Sequence, residues 1–311
     1  MQRLASIDVG SNTIRLLIAE SAVAAPPRPY YLERRITRLG ENFMQQRMLQ
    51  PPAMERSIAA LQEFVELMER SGVLHYSAGA TAVVREAKNA QYFLDLVRSQ
   101  TGLQVRILNG SEEAKLSLLG VASVISNNRA PMAVFDIGGG STELIRKSGG
   151  EIDSVQSSSL PLGVVHLTER FLQADPPGYE SCVQLRRYVS GVLKKLPVPE
   201  DSSDMIWVGT AGTVTTLASM WLELKEYEPN KINGTVLKKP WLADLCYRLA
   251  DMEIAQRKHL PGLEPGREDI ILAGGLVTLE LMNTFGLVEF IVSDAGLLEG
   301  LFLDLCQTIS S

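Results

Sequence analysis

Two short segments combine a carboxylate with glycine and small polar residues in a pattern suited to phosphate chemistry. Asp8-Val9-Gly10-Ser11-Asn12 follows the run Leu4-Ala5-Ser6-Ile7, and Asp136-Ile137-Gly138-Gly139-Gly140-Ser141 follows Met132-Ala133-Val134-Phe135. A carboxylate at the end of a buried strand is costly unless it meets a metal, a hydrogen-bond donor or a counter-charge. Adjacent glycines carry no Cβ, so backbone N–H groups can approach an anion closely. Facing one another across a cleft, two such turns hold a phosphate chain on their amides and a divalent cation on the aspartates. Either turn alone reads equally well as a Gly-rich hairpin, and only the matched context of the pair argues for more.

Four further places carry candidate chemistry. Glu143, seven residues after Asp136, is on spacing alone an outward-facing strand residue; a second metal carboxylate is the sharper alternative. Glu112 and Glu113 open a helix, where acids suit the helix dipole; a carboxylate beside a phosphate site also activates water, and spacing does not choose between the two. Arg85, after Ala80-Thr81-Ala82-Val83-Val84, reads from the residues alone as a surface arginine, and alternatively as a guanidinium that grips phosphate in a bidentate fork. Gly209-Thr210-Ala211-Gly212-Thr213 offers Gly209, Gly212 and Thr213 as an anion site at a helix start, or as a tightly packed strand–helix turn. The sequence holds no G-x-x-x-x-G-K-[ST], and Gly138-Gly139-Gly140 precedes a strand, which excludes the usual nucleotide and dinucleotide loops. His75, His166 and His259 are isolated and read as structural.

The elements that position these residues follow from periodicity. Two β-rich runs flank Gly10-Ser11-Asn12 and predict a hairpin, with a turn at Pro26–Pro29 and a third strand at Tyr30–Leu39. Pro51-Pro52 opens a helix carrying Ile58, Leu61, Phe64, Val65, Leu67 and Met68. A strand at Val73–Gly79, a helix at Asn89–Gln100, a strand at Val105–Leu108 and a helix to Ile125, capped by Ser111, follow. The opening pattern then returns, with Asp136 placed 128 residues after Asp8 (136 − 8). A third strand at Ile152–Ser158, a strand at Met205–Gly209, a helix from about Arg267 to Phe285, a strand at Val288–Val292 and a helix at Ala295–Leu305 complete the second half. The charged stretch Glu223–Pro240 predicts an exposed connection. Strands followed by alternating helix and strand, done twice, imply two α/β domains with mixed sheets.

The 311 residues, 45% hydrophobic and 21% charged, suffice for two such cores. The net charge is −6, which argues against a nucleic-acid partner. It is uneven: residues 1–123 hold 14 Lys+Arg against 12 Asp+Glu, and residues 124–311 hold 16 against 24. Cys182, Cys246 and Cys306 show no ligand spacing and predict reduced thiols in a cytoplasmic protein. No apolar run reaches the ~20 residues of a membrane helix, so no membrane partner is expected.

The segments Ile7–Thr13, Ala80–Ala87, Gly110–Lys115, Asp136–Glu143, Leu160–Gly163, Gly209–Thr213, Leu260–Leu263 and Val292–Gly300, in this order, resemble the exopolyphosphatase / guanosine pentaphosphate phosphatase family of the actin-like, sugar-kinase and Hsp70-type superfamily. The resemblance covers essentially the whole chain. It implies two ribonuclease H-like, actin-like ATPase domains around an interdomain cleft: 1–123, joined by a C-terminal helix at about 296–311, and 124–295. It implies release of terminal phosphate from polyphosphate, guanosine pentaphosphate or both. Glu113 then falls on the catalytic base, and Asp136 and Glu143 on catalytic carboxylates that hold Mg²⁺ or Mn²⁺. Asp8, Gly10, Ser11 and Asn12 fall on the first phosphate loop, Gly138, Gly139, Gly140 and Ser141 on the second, and Arg85 on a phosphate-gripping arginine. This reverses the residue-level reading of Glu143 and Arg85. A monovalent cation such as K⁺ and a homodimer also come with the resemblance. Ending just after the Ser293-Asp294-Ala295-Gly296 helix, the sequence matches the short form without an extra helical domain. The alternatives are a kinase or polyphosphate:nucleotide phosphotransferase of the same superfamily, and a sensor without turnover. The carboxylates speak against the sensor, because a pure polyanion binder gains nothing from added negative charge.

Overall fold

A computed structural model describes residues 2–20, 27, 29–125, 130–148, 155–196 and 205–310. The chain divides into two compact units, Met1–Val124 with Ala295–Ser311, and Ile125–Asp294.

The first unit is built on a five-stranded sheet in the order β3-β2-β1-β4-β5. Strands β1 (Arg3–Val9), β2 (Thr13–Glu20) and β3 (Pro29–Ile36) form an antiparallel meander; β4 (His75–Ala80) and β5 (Arg106–Ile107) add in parallel. Alternate strand residues point to opposite faces, and here both faces are covered. Ala5, Ile7 and Val9 pack with Ile14, Leu16 and Ile18 against residues of helices α2 (Pro51–Arg70) and α4 (Ala90–Thr101). Leu4 packs with Leu17 and Ala19 against Leu298, Phe302 and Cys306 of α13 (Leu297–Ser310). Ser6 and Asp8 therefore fall on the α13 side, where Ser6 Oγ donates to the Leu298 carbonyl at 2.7 Å. Helix α13 crosses α5 (Gly110–Val124) closely, because a Cβ at Gly120 or Gly300 would overlap the facing backbone.

The second unit repeats this plan. Strands β6 (Met132–Ile137), β7 (Thr142–Lys147) and β8 (Val155–Leu160) form the meander; β9 (Ile206–Thr210) and β11 (Glu289–Val292) add in parallel. A sixth strand, β10 (Val236–Lys238), closes the edge antiparallel to β11, giving β10-β11-β9-β6-β7-β8. Helices α6 (Val164–Phe171), α7 (Gly178–Leu193), α8 (Ala211–Trp221), α10 (Lys239–Ala250) and α12 (Ile271–Thr284) supply its large core.

Several local expectations need correction. Ser111 is not the cap of α5: Asn109, immediately before the helix, holds the N-cap position favoured by asparagine, and its Oδ1 accepts the N–H groups of both Ser111 and Glu112 at 3.0 Å. The third strand ends at Ile36, because the N–H groups of Thr37 and Arg38 turn to the Asn12 carbonyl, each at 3.0 Å. Strands β4 and β5 are shifted or shorter than the apolar runs implied. Residues 223–240 hold helix α9 (Pro229–Ile232) and β10, anchored by the fully buried Ile232 and Leu237. Helix α12 begins at Ile271 rather than near Arg267, since residues 264–270 make turns in which Arg267 Nε donates to Glu264 at 2.7 Å and Gly266 N–H to Glu268 at 2.6 Å. The turn expected at 26–29 lies partly outside the described residues, as does 152–154 of the third strand in the second half; β8 runs on to Leu160.

Candidate active site

In the first unit the Asp8 motif is the turn joining β1 to β2. Gly10 N–H donates to the Thr13 carbonyl at 3.1 Å, and a Cβ on Gly10 would sit 2.9 Å from that oxygen. The turn is clamped from outside by Gly40 N–H to the Ser11 carbonyl (2.7 Å) and by the two bonds to Asn12. Ser11 and Asn12 are buried at the residue level. Asp8 keeps some exposure, but its Oδ1 is sealed from solvent and meets no hydrogen-bond partner among the described residues. Burial pushes its carboxyl up to about 6; the Arg15 guanidinium pulls the other way and does not offset it.

Arg85 and Glu113 are brought together beside the carboxyl end of β4. The Thr81 N–H donates to the Val9 carbonyl (3.2 Å), which pins the start of α3 (Ala82–Glu86) to the end of β1. From the last turn of α3, Arg85 Nη1 donates to Glu113 Oε2 at 2.7 Å and to the Leu108 carbonyl at 2.8 Å. Both bonds use Nη1; Nε and Nη2 make none among the described residues. Glu113, in the first turn of α5, is 7% exposed. Arg85 is thus not the surface arginine its residue context suggested.

In the second unit the turn is the same: Gly138 N–H donates to the Ser141 carbonyl at 3.0 Å. The carbonyls of Gly138 and Gly139 accept from Val164 and Val165 at the start of α6 (3.1 and 3.0 Å). Gly163 packs so closely on this turn that a Cβ there would overlap the Gly140 backbone. Glu143 lies directly across from Asp136 in the β6–β7 register, and Ser159 lies next in the row on β8. Residues directly opposite in an antiparallel pair project from the same face. Glu143 is 3% exposed, so the residue-level reading of an outward strand glutamate fails. Its Oε1 accepts from Ser141 Oγ at 2.6 Å and Ser159 Oγ at 2.8 Å. Thr210 of β9 is Asp136's other neighbour, which brings the Gly209–Thr213 turn beside the same carboxylate. That turn is tightly packed: a Cβ on Gly209 would lie 2.6 Å from Phe135, one on Gly212 would overlap the buried Arg267 guanidinium, and one on Gly274 would overlap Thr213.

The two turns differ at one register position. Asp136 faces Glu143, whereas Asp8 faces Arg15, each seven residues on. A carboxylate pair concentrates negative charge and suits a cation; a carboxylate opposite a guanidinium does not. Among the described residues no group of three or more His, Cys, Asp and Glu side chains converges as a metal cage. A pair of carboxylates is a donor set Mg²⁺ uses when substrate phosphates and water complete its shell, so Asp136 and Glu143 are the residues that could hold such an ion. Sequence reasoning did not pick out Ser159, Arg15 or Arg267. The register of β2 and β8 was the missing information for the first two.

A five-stranded and a six-stranded mixed sheet, each built on a meander whose first strand ends in an Asp-x-Gly turn, define the actin-like fold class. Residues 18–309 match the model of the Ppx/GppA phosphatase family, and the chain belongs to that family. Exopolyphosphatase 2 of Mycobacterium tuberculosis is 33% identical over 98% of this chain and 99% of its own. The crystal structure of the Aquifex aeolicus Ppx/GppA family member is similar with a TM-score of 0.82 at 32% identity, covering 100% of this chain and 99% of that one. An exopolyphosphatase from Cytophaga hutchinsonii has a TM-score of 0.88 at 25% identity, covering 99% and 98%. Among the described residues no helix is long and apolar enough to cross a membrane.

Proposed function

We propose that this protein is an exopolyphosphatase that releases terminal phosphate from inorganic polyphosphate, with guanosine pentaphosphate as a second candidate substrate. The observation that carries the reading is the Arg85–Glu113 pair, a buried carboxylate held at 2.7 Å by an arginine whose remaining N–H fork is open. In this reading the two actin-like domains are 1–123 with the helix at 296–311, and 124–295, and each supplies one phosphate-binding turn. The amides of the Gly10–Asn12 and Gly138–Ser141 turns bind the non-transferred phosphates. The free side of Arg85 binds the terminal phosphoryl oxygens, and the shift of the guanidinium toward them takes Nη1 from Glu113. Glu113 then orients a water for in-line attack and takes its proton. Asp136 and Glu143 would hold Mg²⁺, which supplies Lewis-acid stabilisation of phosphoryl charge when bound. Ser141 and Ser159 keep the Glu143 carboxylate in place by occupying Oε1. No side chain is asked to act as a nucleophile.

The testing experiment compares phosphate release from long polyphosphate, short polyphosphate and guanosine pentaphosphate at equal phosphoanhydride concentration, with Mg²⁺ or Mn²⁺, with and without K⁺. Release from polyphosphate without added nucleotide supports hydrolysis. Appearance of ATP only when ADP is supplied would replace it with phosphotransfer, and metal-dependent binding without release would replace it with a sensor.

A further inference from the structure

The chain between β5 and α5 meets Arg85 twice. Leu108 is fully buried; its N–H donates to the Ala80 carbonyl of β4 at 2.9 Å, and its own carbonyl accepts from Arg85 Nη1 at 2.8 Å. Further on, Glu113 Oε2 accepts from the same nitrogen at 2.7 Å. One nitrogen is thus shared by two acceptors, and the residues between them set their spacing. That short stretch closes on itself. Asn109 Oδ1 accepts the N–H groups of Ser111 and Glu112, each at 3.0 Å. Glu112 Oε2 in turn accepts the Asn109 N–H at 2.9 Å. This is a reciprocal capping box, with Asn109 at the N-cap and Glu112 at the third helical position. The Asn109 carbonyl then accepts the Glu113 N–H at 2.9 Å, the first main-chain bond of the helix. A first turn without such a box has orphan N–H groups and opens readily. Glu112 Oε1 also lies 3.6 Å from Arg106 Nη1, an exposed pair that adds little. The adjacent glutamates differ in setting: Glu113 is buried, whereas Glu112 is half-buried and spends an oxygen on the backbone.

We infer that Asn109 and Glu112 are positioning residues for Glu113, acting through the capping box that fixes the first turn of α5. Of the two adjacent glutamates, Glu112 works as a hydrogen-bond acceptor for the backbone and Glu113 works through its charge. The inference rests on the reading of Glu113 as the base of the proposed reaction. The box matters most at turnover. In the free protein Arg85 Nη1 ties Glu113 to the Leu108 carbonyl. When the guanidinium shifts to the phosphoryl oxygens that tie is released, and the capped turn still holds the backbone from which the carboxylate reaches the water. A small misplacement of a catalytic group is costly in rate, whereas the phosphate-binding amides and Arg85 lie outside the box. Breaking the box therefore lowers kcat and leaves substrate capture intact.

The test separates capping from charge, with polyphosphate as the probe. Asn109→Ala should lower kcat about fivefold or more, the typical worth of an N-cap, with KM little changed, and Glu112→Ala should act in the same direction. Asn109→Ser and Glu112→Gln keep an acceptor at each place and should restore kcat. A loss in Glu112→Gln as large as in Glu112→Ala would show that the charge of Glu112 is what counts and would overturn the inference. Lower melting temperatures with unchanged kcat in the alanine variants would make the box merely structural and would also overturn it. In a Glu113→Gln background, Asn109→Ala should have no further effect on kcat, because the group it positions is gone; equal losses in both backgrounds contradict the inference. Independently of turnover, amide hydrogen exchange at residues 111–113 should speed up in Asn109→Ala and slow again in Asn109→Ser. Unchanged exchange there overturns the inference. Absence of phosphate release by the unsubstituted protein would count against the proposed function alone, since the exchange readout does not depend on turnover.

Discussion

Asp8→Asn should change how stability depends on pH, and the size of the change follows from the site. The Asp8 carboxyl is pushed from 3.8 up to about 6 by burial. Below about pH 4 it is protonated in both the folded and the unfolded chain and costs nothing. Between about 4 and 6 the unfolded chain ionises first, so the unfolded state binds fewer protons and stability falls as pH rises. Above 6 the folded protein carries the ionised group and bears the whole cost. A shift of about two units corresponds to roughly 3 kcal/mol at 1.36 kcal/mol per unit, an upper figure because the residue keeps some exposure. The asparagine variant has no such titration. Its carboxamide adds a penalty of its own at Oδ1, but that penalty is independent of pH and drops out of the slope. Melting curves of both proteins should therefore diverge in favour of Asp8→Asn between pH 4 and pH 7. The accumulated gap is on the order of 6–12 °C, taking about 2–4 °C per kcal/mol for a unit of this size. Parallel stability curves, or a gap that opens the other way, would show that Asp8 titrates as an ordinary carboxyl and that its burial is not the source of strain.

Other outcomes follow from neighbouring contacts. Arg85→Ala should raise KM for polyphosphate more than it lowers kcat; a fall in kcat alone, by steady-state phosphate release, would place the arginine in the transition state only. Glu143→Gln should raise the Mg²⁺ concentration needed for half-maximal release by about tenfold or more while leaving far-UV circular dichroism unchanged, since a hard cation prefers two carboxylates to one. Gly163→Ala should destabilise the second unit by about 1–3 kcal/mol in urea, as expected for overpacking, because its Cβ would overlap the Gly140 backbone.

The fold was largely legible because its two halves repeat one pattern. Asp8 and Asp136 each end the first strand of a three-stranded meander, and alternation of apolar residues located both. What periodicity could not give was side-chain direction on strands covered on both faces. Glu143 read on spacing alone as an outward strand residue, yet β7 is buried at five of its six positions. Arg85 and Glu113 are 28 residues apart, and no local spacing signals that a helix end and a helix start meet at 2.7 Å. Their roles came from resemblance to a family, not from the residues. The Arg15–Glu299 ion pair was invisible for a further reason: 284 positions separate the two residues (299 − 15), and only the return of α13 to the first sheet brings them together. The stretch 223–240 misled by composition, since Lys, Glu and Pro mask the buried anchors Ile232 and Leu237.

In the proposed mechanism a buried glutamate released from Arg85 activates water at a phosphate chain. The most direct measurement is polyphosphate binding and phosphate release by Glu113→Gln, run side by side with the unsubstituted protein. Turnover should fall about 10²–10⁴-fold, the usual worth of a general base, while polyphosphate affinity stays within a few-fold. Phosphate release by Glu113→Gln at close to the unsubstituted rate would contradict the account.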